Sequence, residues 1–218
     1  MLYRKIPKKP VEKAFHDFAL PAVQVPAPVI RTNSGHSKPK AKSKPAPLSP
    51  LPEIALEQSS PVDETAVLFE KGMYQQCIEQ CISLLKKTDP EPRILSILVK
   101  SFANTGKLDE ALHWGEKLLS LEGSNPDTYY LVATILTEKN DTGKAESTLK
   151  RALYLNPHHL LSHFLMGNIA KSQGKKGAAL KHFKNAEELL SAHPDDEIVP
   201  GSEGLTAGRM RMILNKLS

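Results

Sequence analysis

An all-α solenoid of helical hairpins is predicted by three features of this 218-residue sequence. The first is self-similarity at a spacing of 34 residues, in which a small residue recurs as Cys77, Ala111, Ala145 and Ala179. The second is a turn column five residues earlier, Gly72, Gly106, Asn140 and Gly174. Glycine and asparagine are the residues that take the left-handed conformation ending a helix. The third is a column eight residues after the small one, Leu85, Leu119, Leu153 and Glu187. Four units in one register, each too small to bury its own apolar face, must stack on their neighbours.

The stretch Thr142 to Pro157 sets the register. Ala145, Leu149 and Ala152 share one helix face, and Asn156-Pro157 stops the helix because proline cannot continue it. Composition agrees with a soluble class, at 40% hydrophobic and 24% charged residues. No apolar run approaches the roughly 18 residues of a membrane span, and the basic start leads into no signal-peptide core. A cytoplasmic location is expected.

Taken in order, residues 1–57 read as a basic, Pro-rich, disordered tail or linker. Residues 1–50 hold ten Lys/Arg and two Asp/Glu, a balance of +8, whereas 51–218 hold nineteen and twenty-two, a balance of −3. The basic charges are spaced by prolines, as in Lys38-Pro39-Lys40-Ala41-Lys42, and form no nucleic-acid patch. Nine prolines between 21 and 61 favour an extended tether over a packed core. A strand over Leu2–Ile6 would have no partner there, so the chain is expected to be cut, or to begin, just downstream of another domain.

From 58 to 193 four units start at 58, 92, 126 and 160. Ser60, Pro61 and Asp63-Glu64 give the first helix its cap, first-turn proline and dipole complement. Helix pairs follow at 61–71 and 74–88, 92–105 and 108–121, 126–139 and 142–155, and 160–173 and 176–191. Leu95, Leu98, Val99 and Phe102 form the inner stripe of one first helix, and Tyr129, Val132, Ala133 and Leu136 that of the next. The third reads His163, Met166, Gly167 and Ala170, the third position staying small or β-branched so that helices approach closely. Pro61, Glu64 and Thr65 break this stripe, so the opening helix serves as a polar cap of the array. An acidic link at 194–204 leads to an amphipathic helix at 205–217, with Met210, Ile213, Leu214 and Leu217 on one stripe. Its expected duty is to cover the last unit, with a partner-binding or membrane-surface helix as the alternative.

No catalytic constellation, metal site or cofactor loop is legible. Cys77 and Cys81 fall on core columns and read as buried thiols. His158, His159 and His163 lack the carboxylate or thiol ligands of a metal site. The expected function is therefore protein binding without enzymatic activity, on the groove formed by first helices. Arg93, Ser96 and Lys100, then Tyr130, Thr134 and Thr137, then Phe164, Asn168 and Lys171 lie off the packing stripe and line that groove. Aromatic anchors, hydroxyl and amide donors and cations suit a peptide with some acidic character.

The 34-residue columns resemble those of tetratricopeptide (TPR) repeats. A narrower resemblance rests on Leu2-Tyr3-Arg4-Lys5, the Pro-rich tether and the tail Gly204-Leu205-Thr206-Ala207-Gly208-Arg209-Met210. That order is similar to the TPR-bearing C-terminal extension of CheR-type chemotaxis methyltransferases, which use S-adenosylmethionine to methylate receptor glutamates. The resemblance implies the targeting arm of such an enzyme, with a chemoreceptor or signalling protein as partner. The catalytic domain is absent, so no cofactor or catalytic position falls on this chain. A free-standing cytoplasmic TPR adaptor of another assembly is the alternative.

Overall fold

The turn column shows first why the chain folds as hairpins. In the computed structural model, which describes residues 60–217, Gly72, Gly106, Asn140 and Gly174 all have positive φ, between 61° and 75°. Each reverses the chain between two helices in three or so residues, so the helices pack antiparallel. The pairs are α1 (Pro61–Glu70) with α2 (Tyr74–Leu85), and α3 (Pro92–Asn104) with α4 (Leu108–Leu121). They continue as α5 (Pro126–Glu138) with α6 (Thr142–Leu155), and α7 (Leu160–Ser172) with α8 (Lys176–Leu190). A final helix, α9 (Ala207–Leu217), follows. No strand is formed among the described residues, and no helix there is long and apolar enough to cross a membrane.

Proline stands at the first turn of α1, α3 and α5, where its missing N–H costs nothing. Side chains satisfy other free amides. Ser60 accepts from Asp63 N–H, Asn125 from Asp127 N–H and Asp141 from Lys144 N–H.

The small column is the packing seam. Cys77, Ala111 and Ala145 are wholly buried and Ala179 nearly so. Gly167 gives the closest approach, lying directly against the ring of Phe183 on α8. Around the seam, Leu95, Leu98, Leu118, Ile135, Leu149 and Leu190 are buried, each contributing roughly 1.5–3 kcal/mol of apolar burial. Three core clusters follow one another from α1 to α9, with partly buried Leu112 and Tyr130 each packing against two of them. Thr65, expected as an awkward inner residue of a capping helix, is fully buried, and its hydroxyl donates to Val62 C=O at 2.7 Å. Cys77 Sγ donates to Thr65 C=O and receives the Ser101 hydroxyl. Burial pushes the Cys81 thiol up to about 12, with Cys77 beside it adding to the effect. Both cysteines are free and act as small hydrophobes.

The last helix covers the fourth unit. Ala207, Met210 and Leu214 join Phe183, Ala186 and Leu190 of α8 in one apolar cluster. Arg211 completes the end of α8, donating to Leu190 C=O at 2.8 Å and to His193 C=O while pairing with Asp195. A cation there also complements the negative end of the helix. The disordered tail expected at 1–57 and the strand at Leu2–Ile6 lie outside the described residues.

Candidate partner-binding groove

A groove of about 820 Å³ runs across the first helices of three units. Its walls follow from helical spacing. Arg93, Ser96, Lys100 and Asn104 are stacked on α3, and Asp127, Tyr130, Thr134 and Glu138 on α5, with Ala66 from α1. Four expected residues, Arg93, Lys100, Tyr130 and Thr134, are brought together here, with Ser96 between them.

The other four expected residues do not line the groove, for identifiable reasons. Phe164 packs into the apolar cluster under the C-terminal helix, its ring 6.3 Å from that of Phe183. Lys171 donates to Leu217 C=O at 3.3 Å. Thr137 falls beside the stripe that Tyr130, Thr134 and Glu138 form on α5. Asn168 stands one repeat beyond Thr134, on the unit that the C-terminal segment covers. The groove therefore spans units one to three, where the sequence pointed to units two to four.

Residues that sequence reasoning missed fall into two groups. Asn104 and Glu138 continue the stripes of Lys100 and Thr134 by one helical turn, so a longer window would have included them. Gly201, Ser202 and Glu203 come from the link after α8 and reach the groove across the fold. No periodic signal announces them.

Charge in the groove is mixed. Arg93 pairs with Asp63 at 2.7 Å, and Lys100 Nζ with Glu203 Oε1 at 3.1 Å. The Arg93 guanidinium holds the Asp63 carboxyl below its ordinary value. Glu122 accepts from Thr128 Oγ1 at 2.7 Å and Asn125 Nδ2 at 3.1 Å. Crowding by surrounding protein raises Glu138. Tyr130 is raised chiefly by burial, with the Glu203 carboxylate adding to it.

One chain of hydrogen bonds imitates a catalytic order. Asp127 Oδ1 lies 2.9 Å from His159 Nε2, and His159 Nδ1 lies 2.7 Å from Ser162 Oγ. Ser162 is wholly buried, so no substrate reaches its hydroxyl. His159 Nδ1 also accepts the Ser162 N–H at 3.2 Å, which makes it the N-cap of α7. The hydrogen bond from His159 lowers Asp127. This trio anchors a helix start; nucleophilic chemistry would need an open hydroxyl. Among the described residues no three His, Cys, Asp or Glu side chains are grouped to hold a metal.

Comparison with known proteins follows this architecture. A family model described as "Anaphase-promoting complex, cyclosome, subunit 3" matches residues 104–190. Among solved structures, "MamA 41-end from Desulfovibrio magneticus RS-1" is 17% identical with a TM-score of 0.57, covering 61% of this chain and 75% of that one. "MamA RS-1 ArsTM double mutant" is 18% identical at a TM-score of 0.56, covering 62% and 78%. "Crystal structure of MamA" is 18% identical at 0.53, covering 70% and 87%. At such identities the likeness is one of fold. Residues 60–217 form an all-α TPR-type solenoid of four helical hairpins closed by a C-terminal helix.

Proposed function

We propose that this chain is a cytoplasmic protein-interaction scaffold that takes a peptide segment of a protein partner in the groove of units one to three. The observation that carries the reading is the lined groove itself. Tyr130 offers aromatic area, Ser96 a hydroxyl, Thr134 an acceptor oxygen, and Arg93 and Lys100 charge, all on rigid helices. Such a mixture of anchor and polar groups is what peptide recognition uses. The matched family model names a subunit of a multi-protein complex, which is in keeping with a binding role.

The finer reading, a targeting arm of a chemotaxis methyltransferase, has less behind it. Two of its three sequence features lie outside the described residues. The third, Gly204 to Met210, has a structural duty: Leu205 C=O accepts the Val199 N–H, and Ala207 and Met210 are fully buried. A protein-interaction scaffold accounts for the described residues without that assignment, and we adopt the broader statement.

The test is a proteome-derived peptide array followed by titration of the tightest binder. Lys100→Ala and Thr134→Arg are expected to weaken binding at least about tenfold, the loss of one hot-spot contact. Tyr154→Ala, at an exposed site outside the groove, is expected to leave it unchanged. No binder, or equal affinity in all variants, removes the groove as the binding site.

A further inference from the structure

The link between α8 and α9 is folded. Val199 N–H donates to Leu205 C=O at 2.9 Å and Ala207 N–H to Glu197 C=O at 2.8 Å, with an antiparallel bridge between Ile198 and Thr206. Val199 is 2% exposed and anchors this hairpin in the core. Ser202 Oγ accepts the Leu205 N–H at 3.1 Å and closes the tip. Three residues of the tip, Gly201, Ser202 and Glu203, line the groove.

Glu203 is the residue that needs explaining. Gly201 and Gly204 have φ of 76° and 102°, and Glu203 between them has φ of 55°. Glycine takes that left-handed conformation freely, and a long side chain does so at a cost. The side chain borne at that cost places its carboxylate on Lys100 Nζ at 3.1 Å. Both partners are partly open to solvent, at 31% and 50% exposure, and such pairs are weak enough to exchange with a competitor.

We propose that the hairpin tip is a built-in occupant of the groove, with Glu203 standing in for a carboxylate of the partner. The partner segment displaces the tip and places one Asp or Glu on Lys100. The rest of the groove restricts what surrounds that residue. Arg93 is engaged by Asp63, Asp127 by His159, and Glu122 by Thr128 and Asn125. Glu91 and Glu138 also line the groove, and they repel further acid. The favoured segment is thus one acidic residue among small neutral ones, the chemistry of Gly201-Ser202-Glu203-Gly204 itself. This proposal rests on the groove being the partner site, and it adds the partner's charge and the competition.

The probe is a fluorescein-labelled peptide copying Val199 to Thr206, added to the full chain and followed by anisotropy. Glu203→Gln in the protein releases Lys100, and is expected to bind the peptide about two- to fivefold more tightly than the unsubstituted chain, the gain that removing a weak, half-exposed pair allows. A peptide with Gln in place of its Glu, or a protein with Lys100→Glu, is expected to lose that gain. Equal binding to both proteins, including none to either, or equal binding of the Glu and Gln peptides, overturns the proposal. If array-selected peptides still depend on Thr134, only self-occupancy has failed; if they do not, the groove reading has failed with it.

Discussion

Phe183 lies so close to Gly167 that a Cβ added to the glycine would stand 2.4 Å from Phe183 Cε1. No real side chain tolerates that distance, and Phe183 is itself only 1% exposed, so the ring has little room to yield. Gly167→Ala is expected to destabilise the fold by about 1–3 kcal/mol through overpacking. Phe183→Leu in the same chain should recover part of the loss, and thermal melts of the four proteins in the cycle measure the coupling. Additive losses would mean that the contact is not the cause.

Ala145 makes the same test at the register-setting helix. It is wholly buried at the seam where α6 meets its neighbours, in a cluster with Val132, Leu149 and Leu165. Ala145→Leu should cost about 1–3 kcal/mol, read by urea titration. An unchanged midpoint would contradict the packing described.

Arg211 ties the C-terminal helix to the end of α8. Removing its bonds to Leu190 C=O and His193 C=O by Arg211→Ala is expected to cost about 1–3 kcal/mol. The exposed link at 194–198 should also become easier for a protease to cut than in the unsubstituted chain. Equal cleavage rates would show that the apolar cluster alone holds α9 in place.

Acid should loosen the fourth hairpin before the others. His163 Nδ1 lies 3.1 Å from His182 Nδ1, and His163 Nε2–H donates to Pro157 C=O at 2.9 Å. His163 thus accepts at Nδ1 and His182 donates from Nδ1, an arrangement that needs at least one neutral ring. Burial lowers both; at His163 the bond to Pro157 C=O opposes it and His159 and His158 add to it, while at His182 His163 and Lys181 add to it and Glu146 opposes it. A lowered histidine favours folding with the neutral form, so its contribution is complete above the ordinary value of 6.5 and is lost as pH falls through the folded value. Asp127 and Asp63 are lowered too, but their ordinary value of 3.8 puts their loss in stronger acid. The melting temperature should be level above about pH 7 and decline from there to pH 5. His182→Gln should flatten that decline. An unaltered slope would assign it to other groups.

Much of the fold is legible because a repeat writes each structural demand four times. The left-handed column at Gly72, Gly106, Asn140 and Gly174 and the buried column at Cys77, Ala111, Ala145 and Ala179 could be read from position alone. Half of the expected groove was legible for the same reason, since Lys100 and Thr134 occupy one column. Of the other four, Phe164, Asn168 and Lys171 stand on the last unit, away from that cavity. Phe164 looks like a groove aromatic in its column, but the C-terminal segment converts that column into core. Glu203 reaches Lys100 across about a hundred residues of chain, a relationship that depends on tertiary folding and leaves no local trace.

Partner binding in the groove of units one to three, as proposed, can be read residue by residue. In chemical-shift mapping of the isotopically labelled full chain with the tightest array peptide, shifts are expected to concentrate in residues 93–104 and 127–138, together with Gly201, Ser202 and Glu203 as the hairpin tip is displaced. Shifts confined to the outward surfaces of α2, α4 and α6, with Lys100, Tyr130 and Thr134 undisturbed, would contradict it.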